Sequence, residues 1–121
     1  VHLQNPISQP NAIDVFDNQN VSQFRVKATG VVYAREVNVV AGVFPDYVFA
    51  KEYKLPSIKE LDVYIQNNHH LPGFESASHY EKNGINTSEM FIKQQEKIEE
   101  LSLYIIELEK RLSKLETQQT K

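Results

Sequence analysis

The sequence predicts an α+β fold: a β-rich N-terminal neck, a small helical and loop-rich cap, and a C-terminal helix that forms a coiled coil. Three observations predict it. Residues 23 to 40 are rich in Val and alternate in polarity; two Ser-led capping signals lie between Ser57 and Glu81; and Ile98 to Leu115 repeats apolar residues every three or four positions. The 121 residues are 40% hydrophobic and 24% charged, which suits one folded domain rather than a disordered chain. The texture shifts along the chain. Residues 1–40 hold six charges (Asp14, Asp17, Arg25, Lys27, Arg35, Glu36), whereas 81–121 hold 15 and no proline, so the architecture changes near Gly84.

Residues 1–22 read as a linker or the end of an upstream repeat, with two prolines between Asn5 and Asn11 and a short strand candidate at Ile13–Phe16. Residues 23–84 read as the β-rich and mixed α/β part. Phe24, Val26 and Ala28 share one side of a strand. Thr29-Gly30 then makes a tight turn, since glycine reaches positive φ without a steric penalty. Val31 to Val40 forms the return strand, with Val31, Tyr33, Val37 and Val39 on one parity. Arg35 breaks that parity, which a bulge or a second buried face would explain.

Pro45-Asp46 predicts a turn and Tyr47–Phe49 an extended piece. Ser57 and Glu60 form a capping box, followed by the apolar stripe Ile58, Leu61, Ile65. That helix stops near Asn67-Asn68, because Pro72 bars helix in the residues before it. His70-Leu71-Pro72-Gly73 is a structural turn. Ser78 and Glu81 cap a short second helix that Asn83-Gly84 ends.

Residues 85–121 read as the association helix. Asn86 caps it with Glu89 three positions on, and a helix over 87–117 is about 45 Å long. Ile98, Ile105 and Leu112 fall at heptad position a, and Leu101, Leu108 and Leu115 at d. Phe91 and Gln94 extend the register backward by one heptad, and Arg111 at g can pair with Glu116 at e of a neighbour. Burying each Leu or Ile is worth roughly 1.5–3 kcal/mol, and 85 residues of small mixed structure hardly cover roughly eight turns of helix. The row therefore packs on copies of itself. Leu103, Tyr104 and Ile106 add apolar surface outside a and d, so the heptads alone leave dimer and trimer open.

Other classes are poorly served. The net charge of -3 is a weak basis for gripping nucleic acid, and no apolar run reaches the roughly 18 residues needed for membrane insertion. No signal peptide is visible, and the first residue is Val, as expected of a fragment or processed product. Without cysteine there are no disulfides and no thiol chemistry. His69, His70 and His79 lack metal-ligand spacing and read as loop structure. Ser76, His79 and Asp62 or Asp46 supply the residue types of a hydrolase triad, but Gly73–Ala77 is not a nucleophile elbow and no phosphate-binding loop exists. The expectation is a protein with no enzymatic role and no cofactor. The tyrosines and phenylalanines of residues 33–80 are expected to fill the core, with a sugar-binding platform as the alternative. Asn20-Val21-Ser22 and Asn86-Thr87-Ser88 match the glycosylation acceptor.

Taken together, Ala34-Arg35-Glu36-Val37, Pro45-Asp46-Tyr47-Val48-Phe49, His70-Leu71-Pro72-Gly73 and Lys97-Ile98-Glu99-Glu100-Leu101-Ser102-Leu103-Tyr104 carry a resemblance. Residues 23–116 resemble the C-terminal domain of phage tail-fibre and related bacterial surface-fibre proteins. Departures are Ser102, where Thr is common, and the second histidine at His69. The resemblance implies a homotrimer with a parallel three-stranded coiled coil, joined to an upstream fibre shaft in a virion tail fibre or a cell-surface fibre. It implies a structural role, bringing three chains into register. Some fibre families end in a self-cleaving chaperone with a serine–lysine pair, a motif not visible here. The alternative role is a receptor-binding tip reading a cell-surface glycan or protein, with Tyr47, Tyr53, Phe74 and Tyr80 as candidate contacts.

Overall fold

Three strands open the described part of the chain: β1 (Asn11–Phe16), β2 (Ser22–Lys27) and β3 (Val32–Ala34), in an antiparallel sheet of order β1-β2-β3. The computed structural model describes residues 11–40 and 42–120. The expected lead-in over residues 1–10 lies outside them. The expected boundary at 22/23 falls within β2, after its first residue, and by contacts the chain divides into two compact units at Asn38/Val39.

In the first unit, Asp17 organises the β1–β2 loop. Its Oδ1 accepts from the Gln19 and Val21 amides at 2.9 Å each, and its Oδ2 from Gln23 Nε2 at 2.6 Å. Those bonds, the Val21 amide foremost, hold the Asp17 carboxyl below its ordinary pKa. The β2–β3 turn forms at Ala28–Gly30 as the sequence predicts, closed by Gly30 N donating to Lys27 O at 2.9 Å. The return strand is shorter than expected, because β2 begins at Ser22 and offers no ladder beyond the Arg35 amide, which donates to Gln23 O.

The parity also differs from expectation. Val15, Phe24 and Ala34 stand opposite one another, as do Ile13, Val26 and Val32, so these six share one apolar face. Tyr33 lies on the other face, opposite Arg25, which itself faces Asp14. Arg35 therefore keeps the parity of a polar face, and no bulge is needed to explain it.

The second unit begins with a 3-10 turn at Pro45–Phe49, where Tyr47–Phe49 was expected to be extended. Pro45 sits in its first turn, where a missing N–H is harmless, and Ala50 N closes it onto Tyr47 O at 3.1 Å. Helix α1 (Ile58–Asn68) starts at the predicted capping box: Glu60 N donates to Ser57 Oγ at 3.1 Å and Ser57 N to Glu60 Oε2 at 2.8 Å. It ends as expected at Asn68, with His69 in the left-handed conformation. The turn that follows places Pro72 and Gly73 between Leu71 O and Phe74 N, which bond at 3.1 Å.

Helix α2 (Ala77–Asn83) is capped by Ser76, not by Ser78 as the Ser-x-x-Glu pattern suggested. The Tyr80 hydroxyl accepts the Glu75 amide at 3.0 Å and draws the helix start upstream. Gly84 ends it as expected, and helix α3 (Thr87–Gln119) begins at Asn86, whose Oδ1 accepts from Glu89 N at 3.0 Å. Among the described residues no helix is long and apolar enough to cross a membrane.

Candidate association surface

Helix α3 has two sides of opposite character. One side receives the 3-10 turn and the segment after it. Val48 is 2% exposed there and Tyr104 6%, and Pro45 is buried with them. The Tyr47 and Tyr53 rings lie 5.8 Å apart; Tyr47 donates its hydroxyl proton to Glu96, and Tyr53 to Glu100 Oε1 at 2.5 Å. Tyr104 donates to Pro56 O at 2.6 Å. The Glu96 carboxylate that accepts its proton, with burial, pushes the Tyr47 hydroxyl up to about 12. Burial first, then the Glu100 carboxylate, raises Tyr53 further.

Glu99 and Glu100 are themselves buried. Lys97 Nζ reaches Glu100 Oε2 at 2.9 Å, and Gln95 Nε2 donates to Glu99 Oε1 at 3.0 Å. In heptad terms this covered side is b, c, f and g between Glu96 and Tyr104; beyond Tyr104 the described residues of the helix are exposed all round. Sequence reasoning missed both burials, because an acid packed against the Tyr53 hydroxyl, as Glu100 is, or against Gln95, as Glu99 is, leaves no periodic signal.

The opposite side is bare. Phe91, Ile98, Leu101, Ile105, Leu108, Leu112 and Leu115, the apolar a and d residues, are each between 48% and 66% exposed, and Gln94 in the same row is exposed as well. All eight predicted interface residues therefore lie along one open stripe over the length of α3. Of the residues that argued for extra cover, Tyr104 is buried and Leu103 half-buried, while Ile106 stays 50% exposed.

The sheet repeats the pattern in the first unit. Ile13, Val15, Phe24 and Val32 of its apolar face stay exposed. The expected aromatic core is not formed within one chain: Tyr33, Phe44, Tyr47 and Phe49 are exposed, and Tyr53, Tyr64, Phe74 and Tyr80 half-buried.

The four candidate receptor contacts all serve the chain's own architecture. Tyr47 and Tyr53 clamp α3, Tyr80 holds the Glu75 amide, and Phe74 lies 5.9 Å beneath Lys93 Nζ. The predicted turn puts His70 Nδ1 3.0 Å from Leu71 O and its ring edge-on to Tyr64. Among the described residues no three His, Asp or Glu side chains converge as metal ligands. The open row is apolar and repeats at an average of 3.5 residues from Ile98 to Leu115. No protein-family model, curated protein or solved structure matches this chain.

Proposed function

We propose that the chain is the trimerisation and registration module of a tail-fibre-like protein, with a structural and assembly role. Three α3 helices form a parallel coiled coil, and the apolar faces of three sheets pack together as the β-rich neck. The observation that carries this reading is the unbroken exposure of the a and d residues on a helix whose other side is already covered between Glu96 and Tyr104.

A helix that lacked only a domain to rest on would turn its apolar row toward the cap. Here the cap takes the tyrosine- and glutamate-bearing side. Burying the seven apolar a and d residues, at roughly 1.5–3 kcal/mol each when complete, supplies a drive for self-association that no contact within the chain uses. Parallel order suits Arg111 at g and Glu116 at the following e, which meet in that orientation. The number three rests on the motif resemblance.

In mechanism, coiling brings three necks to high local concentration, and the single register of the seam then aligns whatever fibre shaft is joined to them. Sedimentation equilibrium of the purified chain tests the reading. The expected mass is three times 14.0 kDa; a species of 14.0 kDa at micromolar concentration overturns it.

A further inference from the structure

The polar face of the sheet carries three cations, none in a close ion pair among the described residues, with Asp14 opposite Arg25 and Asp17 near Arg35. Strand register sets Arg25 opposite Tyr33, and parity adds Gln23, Lys27 and Arg35 to the same face. The Arg25 guanidinium carbon lies 5.1 Å from the Tyr33 ring centre and Lys27 Nζ 5.3 Å from it. Among the described residues, none of these three cations has a carboxylate oxygen within 4.0 Å, whereas Lys93, Lys97 and Arg111 on α3 each have one. Residues 1–10 contain no Asp or Glu that could supply the missing charge.

Asp14 and Asp17 lie near the cations but accept their hydrogen bonds from other groups. Asp14 accepts from Asn11 and from the Ser22 hydroxyl, and Asp17 is taken up by its own loop and Gln23. Arg25 Nε is buried and has no hydrogen-bond acceptor among the described residues. Arg35 Nε has only a long bond of 3.4 Å to Ser22 O, so most of its donor fork is open. Ser22, Gln23, Arg25, Tyr33, Ala34 and Arg35 line a cleft of about 310 Å³, at the small end of ligand sites.

We propose that this cleft binds an acidic saccharide, its carboxylate or sulfate held by Arg35 and Arg25 and its hydroxyls donating to Gln23 Oε1 and Ser22 Oγ. Guanidinium forks match both anions in two-point geometry, and the half-exposed Tyr33 ring offers a flat apolar wall to a sugar. A nucleic acid is disfavoured, since the chain's net charge is -3 and the cations are confined to one short face. The site does not depend on the number of chains in the assembly.

Calorimetric titration of the whole chain with sialyllactose, a sulfated lactose and lactose tests the proposal. Saturable binding of at least one acidic sugar is expected, with none by lactose, and the two acidic arms separate carboxylate from sulfate. Arg35→Gln should weaken binding about tenfold, the size of one lost charge-assisted hydrogen bond. Arg25→Gln should do the same where circular dichroism reports an intact sheet. Lys110→Gln on α3 should change nothing. Equal binding of lactose, no binding of either acidic sugar, an unaffected Arg35→Gln variant, or a Lys110→Gln variant weakened as much as Arg35→Gln would each overturn the site. Sedimentation of the same samples reports the assembly separately, so failure of one proposal is not mistaken for failure of the other.

Discussion

The Tyr104 hydroxyl donates to the carbonyl oxygen of Pro56 at 2.6 Å, joining positions 48 residues apart. Its neighbour Ile105 points the other way and is 66% exposed. One step along α3 thus separates the side that holds the cap from the open apolar row, as a turn of about 100° per residue requires.

Replacing Tyr104 separates its two contributions. Tyr104→Phe keeps the packed ring and leaves Pro56 O without its donor, so unfolding free energy should fall by about 1 kcal/mol. Tyr104→Ala removes the ring as well and should cost about 3–5 kcal/mol. Urea titration followed by circular dichroism measures both; equal effects would show that the ring is not packed.

Ile105→Asp places a charge in the middle of the bare row and should not disturb the cap on the opposite side. The expected result is a sedimenting mass of 14.0 kDa with the helical signal of the second unit reduced only along α3. Removing residues 87–121 should be more severe, leaving monomeric and poorly folded material, because Tyr47, Tyr53 and Tyr104 lose their clamp together. A folded trimer surviving that deletion, by light scattering, contradicts the association model.

Alkali should loosen the cap. Free tyrosine ionises near pH 10, while Tyr47 is raised to about 12 and Tyr53 is raised too. A raised pKa means that the fold favours the protonated hydroxyl, so the stabilisation is full below about pH 10 and is lost as pH climbs through the folded values. Tyrosinate absorbance should show a late phase that Tyr47→Phe reduces, and thermal stability should drop above about pH 10 and not below it. Identical titration curves for wild type and Tyr47→Phe would remove the Tyr47–Glu96 bond from the account.

Gly84 ends α2 at φ 78° and ψ -179°, a region open essentially to glycine alone. A Cβ there meets no atom within 4 Å, so any effect of Gly84→Ala is backbone strain rather than collision. A loss of about 1–3 kcal/mol is expected by denaturant titration. No change would mean that the α2–α3 connection readjusts freely.

The features legible in the sequence are local ones. Ser57 with Glu60, Asn86 with Glu89, the Gly30 turn and the heptads of α3 each depend on residues within about one or two turns of each other, where spacing alone decides which groups can meet. What the tertiary structure decided is which surface each element meets. It turned Tyr47–Phe49 into a 3-10 turn against α3, moved the α2 cap to Ser76, set Tyr33 beside Arg25 instead of among the valines, and buried Glu100 against the Tyr53 hydroxyl and Glu99 against Gln95. Those outcomes depend on groups brought together from far along the chain. Their energies come from desolvation and long-range hydrogen bonds, which leave no period in the order of residues.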